Sequence, residues 1–81
     1  MTDLKEAVEQ ALSGRWSEAH GIVQQDEKSE LACWIHAVLH RQEGDLPNAR
    51  YWYGQAKRAF PGKPDAKSEL EALERALGAK G

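Results

Sequence analysis

The chain reads as an all-α protein of five short helices: two antiparallel hairpins and a C-terminal capping helix. Three observations lead there. Apolar residues recur at intervals of three and four, with no sustained alternation of period two. Pro47, Pro61 and Pro64, the three prolines, all fall near boundaries between apolar stripes. Glycines and polar breaks separate those stripes at distances suited to short helix–helix connections. With 81 residues, the chain is long enough for one domain and no more.

The first helix opens at Asp3, with Glu6 three residues on in a capping-box arrangement. Leu4, Ala7, Val8, Ala11 and Leu12 make its stripe, and Gly14 stops it. A second helix over about 17–25 carries Ala19, Ile22 and Val23. After the polar break "DEKSE", Ser29 caps a third helix, which runs through Leu31, Trp34, Ile35, Val38 and Leu39 to Gln42; Gly44 ends it. Asp45 caps the fourth, where Pro47 is tolerated because first-turn amides have no intrahelical partner. Its inward stripe is Ala49, Tyr53, Ala56 and Phe60. "PGKPD" breaks the chain again. The last helix sets Ala66, Leu70, Leu73 and Leu77 on one face and Glu69, Glu71 and Glu74 off it, and Gly78 closes it. The hairpins therefore span 3–25 and 29–60, and the capping helix 65–78.

A formal net charge of −2 gives no electrostatic case for gripping a phosphate backbone, so nucleic acid is not an expected partner. The charge is uneven: residues 1–30 hold seven acids against three bases, residues 31–64 five bases against two acids. Cys33 is the one cysteine, so no disulfide can close within the chain and no thiolate cage can hold a metal. Its setting, "LACWIHAVL", is that of a buried small hydrophobe. "MTDLKEAVEQ" lacks the basic start and apolar run of a signal peptide, and no run approaches the ~18 apolar residues of a membrane span. The expectation is a cytoplasmic protein without a membrane partner.

Shifting the sequence by 30 residues superposes "GRWSEA" on "GDLPNA", so that Gly14 meets Gly44 and Ala19 meets Ala49. Ala7 falls on Ala37 and Val23 on Tyr53. Small residues repeated at such places let paired helices approach, the signature of a helical repeat array. On these residues the chain resembles the tetratricopeptide repeat family. In the second unit, 30–61, Ala37 takes the small position of the family's first helix, and Ala49 and Ala56 take those of its second. Tyr53 stands at the usual aromatic and Pro61 at the closing proline. The first unit, about 4–25, is degenerate: Asp26 replaces a small residue and no proline closes it. His40 also departs, standing at a place more often aromatic. The resemblance implies a right-handed array that binds proteins and catalyses nothing. The block "HAVLHRQEGDLPNARYWY" further resembles small uncharacterised bacterial proteins, which implies no activity.

Three adjacent aromatics, Tyr51, Trp52 and Tyr53, fan across about 200° of a helix, so one core face cannot take them all. Tyr53 faces inward, Trp52 packs against the terminal helix or a neighbouring subunit, and Tyr51 shows its ring to solvent. Aromatics and arginine dominate binding surfaces, so Arg41, Arg50, Tyr51 and Trp52 form a candidate partner-binding patch for an acidic peptide or protein. The family's groove would be lined here by Leu31, Trp34, Val38, Arg41 and Gln42; cover by the first hairpin would instead make Trp34 core. Two repeats and a cap fall short of the usual three, so a homo-oligomer is also expected. The alternative is a metal- or small-ligand-binding protein. His36 and His40 lie four apart on one helix face, with His20 and Glu43 able to complete a site. The spacing lacks the glutamate of a zinc protease and equally suits histidines that simply pack. Ser13, Ser17, Ser29 and Ser68 lie at helix ends or in a polar turn, where capping explains them. No nucleophile elbow or phosphate loop is present, so no enzyme and no cofactor are expected.

Overall fold

A computed structural model of the chain describes residues 3–26, 28–60 and 66–78. Five helices among the described residues make the protein all-α: α1 (Leu4–Leu12), α2 (Trp16–Val23), α3 (Glu30–Glu43), α4 (Leu46–Gln55) and α5 (Ala66–Gly78). No strand occurs among the described residues. The whole "PGKPD" break, Pro61 included, lies outside them.

Local chemistry sets most boundaries. The Asp3 carboxylate accepts from the Glu6 amide at 3.0 Å, Ser29 Oγ from the Ala32 amide at 3.2 Å and Asp45 from the Asn48 amide at 3.3 Å. Each contact satisfies one first-turn donor that has no intrahelical acceptor. α2 differs from expectation, starting at Trp16 with Arg15 as an N-cap that makes no side-chain cap bond. Ser17 therefore sits inside its first turn. At the other end α2 stops at Val23, and Gln24 and Gln25 already form a turn.

α1, α3 and α4 end in the same way. The amides of Gly14 and Arg15 reach back to the carbonyls of Ala11 and Gln10, those of Gly44 and Asp45 to Arg41 and His40, and those of Lys57 and Arg58 to Gly54 and Tyr53. This pattern needs a left-handed residue just past the helix. Gly14 and Gly44 have φ of 83° and 86°, and Lys57 accepts the same region at 60°. A Cβ at either glycine would meet nothing within 4 Å, so backbone conformation rather than close helix approach selects glycine there. The 30-residue repeat thus has a conformational counterpart. Burial agrees with it too, since Ala7, Ala37, Ala19, Ala49, Val23 and Tyr53 are all in the core.

α1 packs on α2, α3 on α4, and α2 on α3. α5 does not continue this succession. It lies against α1 and α3 and makes no close backbone approach to α4, the helix before it in the chain. Its Leu70 and Leu73 are fully buried there. α3 is consequently central, and every residue from Ala32 to His40 is buried. The spacing of three and four predicts a single buried stripe; neighbours on all sides bury the whole circumference instead, His36 and Cys33 included. Glu69 is a second departure. Expected off the apolar face of α5, it is buried with Leu70 and Leu73.

Candidate functional site

The side of α3 facing α5 carries a closed polar network. Glu69 accepts from Trp34 Nε1 at 2.8 Å and from the Tyr53 hydroxyl at 2.5 Å through one oxygen, and from Arg41 at 2.9 Å through the other. Arg41 also donates to the Tyr53 hydroxyl at 3.2 Å. Burial and the hydrogen bond to the carboxylate push the Tyr53 phenol well above its ordinary range, so it stays a donor. Burial works against the Arg41 charge, but bonds to Tyr53 and Glu69 outweigh it and raise the guanidinium above its usual value. Of the two readings open for Trp34, groove floor or core, the structure has it buried, and its cover is not the first hairpin: α5 reaches its indole, and Arg58 lies 3.5 Å above its ring.

The opposite side, facing α2 and α4, gathers rings. His36 and His40 stack one turn apart on α3, with centroids 5.0 Å apart. α2 brings His20 to them, its Nε2 3.0 Å from Nε2 of His36. Trp16 stacks flat on His20 at 4.7 Å and anchors itself by donating Nε1–H to the Leu39 carbonyl at 2.6 Å. Trp52, from α4, stacks on His36 at 4.0 Å, so its packing partner is α3 rather than the terminal helix. Nδ1 of His40 bonds Glu43 Oε2 at 2.6 Å. Burial, then the neighbouring histidines, holds His36 down to about 4. His20 is lowered by burial and by His40, partly offset by Glu43. One ligand atom from each of the three histidines lies within 4.8 Å of the other two. His40 also belongs to a more open trio with Glu43 and Asp45.

The candidate partner-binding residues divide between these environments. Trp34 and Arg41 belong to the α5 network, Trp52 is half-buried in the ring cluster, and Arg50 and Tyr51 are exposed on α4. Arg50 lies over Phe60 at 4.5 Å, and Tyr51 meets Trp52 edge-on at 5.0 Å. The structure brings His20, His36, His40 and Glu43 together. Two residues escape the sequence reading. Glu69 had a signal available: it is three residues after Ala66 and four before Leu73, hence on their face. Trp16 had none beyond its identity, because its role depends on how α2 crosses α3. Comparison of the chain with family models, curated proteins and solved structures finds no match in any of the three.

Proposed function

We propose that this is a small cytoplasmic interaction module that recognises an acidic peptide or protein segment with the outer face of α4. The observation that carries this reading is Tyr51, an aromatic left 57% exposed while its ring is held edge-on by Trp52. A side chain already immobilised in this way loses little rotamer freedom when a partner covers it. Exposed Arg50 stands beside it, and tyrosine and arginine are the residue types that most often dominate binding energy. From Leu46 to Phe60 the chain holds no acid, so the charge that α4 itself presents beside Tyr51 is that of Arg50, which favours carboxylates.

The groove side offers less. α5 rests on α1 and α3, and the donors of Trp34 and Arg41 serve Glu69. No helix among the described residues is long and apolar enough to cross a membrane, and the reading needs none. It also involves no catalysis and no cofactor.

The test is a pull-down with wild type and an Arg50→Ala/Tyr51→Ala double variant as baits, with circular dichroism to verify that both fold. The expected result is an acidic protein retained by wild type, lost by the variant and weakened by salt, as exposed charge attraction must be. Equal retention by the two baits defeats the proposal. A second copy of the chain as the retained species, with concentration-dependent sedimentation, would make the same face a homo-oligomer contact.

A further inference from the structure

We propose that His20, His36 and His40 form a three-imidazole site for a divalent first-row transition metal ion of the zinc class. The argument begins with hydrogen-bonding capacity. A neutral imidazole carries one N–H and one lone pair, so three rings turned toward one another can each aim a lone pair at a common point, and one nitrogen of each lies within 4.8 Å of the others. Between His20 and His36 a single hydrogen can occupy the 3.0 Å gap. A metal ion uses both Nε2 lone pairs at once, after the donating ring alone moves its N–H to Nδ1.

The dimensions fit. Zinc–imidazole bonds of about 2.0–2.1 Å in a tetrahedron place neighbouring nitrogens about 3.3 Å apart. The His20–His36 pair is already near that value, and the widest of the three separations is at most 4.8 Å. Glu43 supplies the arrangement that orients metal-bound histidines: its carboxylate takes the Nδ1 hydrogen of His40, which leaves Nε2 with the lone pair. Trp16 and Trp52 fix the planes of His20 and His36 from outside, with interplanar angles of 10° and 11°. The ligands come from two helices, one pair a turn apart and the third across the α2–α3 seam. Imidazole without thiolate suits zinc, nickel, cobalt(II) or copper(II) rather than a soft monovalent ion. Three protein ligands leave a fourth position for water or another small donor.

The test uses full-length, tag-free, chelator-stripped protein with zinc and with cobalt(II) as probes. One equivalent of zinc should bind and, at about a hundredfold its Kd, raise Tm by about 10 °C. Cobalt(II) should give the intense visible bands of a four-coordinate ion. His20→Gln, at a half-buried position, should abolish both effects, and Glu43→Gln at an exposed one should weaken affinity about 10- to 100-fold. No Tm rise with either metal overturns the proposal, and so does a rise of equal size in His20→Gln. Should His20→Gln fail to fold, undiminished affinity in Glu43→Gln overturns it instead. None of these outcomes bears on the α4 face, which the pull-down tests separately.

Discussion

On the α5 side of α3 one carboxylate meets three donors; on the side facing α2 and α4, three imidazoles meet one another. Both clusters bury polar groups inside a small protein, and both lean on a tryptophan. They differ in the charges they bring together. Glu69 has a guanidinium, a phenol and an indole aimed at it, so the network is internally satisfied and holds α5 in register. The histidines carry no opposite charge among themselves, and protonating one repels the next. A carboxylate ringed by donors serves stability, whereas three imidazole nitrogens within 4.8 Å of one another are suited to receive a metal ion.

The largest way to break that contrast is Glu69→Ala. It removes from Arg41, whose side chain is 11% exposed, the carboxylate 2.9 Å away, and it strips the acceptor from Trp34 and Tyr53. Removing one partner of a buried pair costs about 3–5 kcal/mol. A chain of this length has about 4–12 kcal/mol in all. Urea unfolding should therefore show a midpoint lowered by at least about a quarter, with α5 lost first in hydrogen exchange. A loss under about 1 kcal/mol would mean that the network does not hold α5.

Acid acts on the other side. His36 falls from an ordinary value of 6.5 to about 4 in the folded chain, and His20 is lowered too. Between those values the unfolded state binds protons that the folded state refuses. The stabilisation is thus complete above about 6.5 and is lost as pH falls toward about 4, at a cost on the order of 2–3 kcal/mol. His40 and Glu43 from α3, and Trp16 and Trp52 from α2 and α4, face these rings. Urea midpoints of the chelator-treated protein across pH 4–7 should show this slope, and His36→Gln should flatten it. The smallest effect belongs to the surface between the clusters and solvent. Arg50→Ala/Tyr51→Ala should change stability by less than about 1 kcal/mol, because only an exposed stack on Phe60 and an edge contact with Trp52 are lost. A larger loss would make the α4 aromatics part of the architecture.

Much of the helical scaffold was legible because its signals are local. Asp3, Ser29 and Asp45 cap within their own turns, and Gly14 and Gly44 take the left-handed conformation that their helices need to stop. The boundary of α2 was the poorest, having no capping side chain to announce it. His36 and His40 share a face by helix geometry alone, and that half of the histidine cluster could be read directly. Trp34 could be assigned to the core but not its cover, since periodicity tells a residue which way to face and not which helix will meet it.

The sequence by itself determined the all-α class, five helices, three caps and the pair of glycine stops, because each depends on interactions spanning at most five residues. Only the tertiary structure decided that α5 lies on α1 and α3, that Glu69 turns inward to Arg41, Tyr53 and Trp34, and that His20 arrives at His36. Those outcomes depend on which apolar faces pair and at what angle helices cross, and such preferences are sums of many weak contacts between residues distant in the chain. A glutamate beside Leu70 and Leu73 is compatible with solvent or with a guanidinium. It became a core residue because α5 packed where Arg41 was within 2.9 Å.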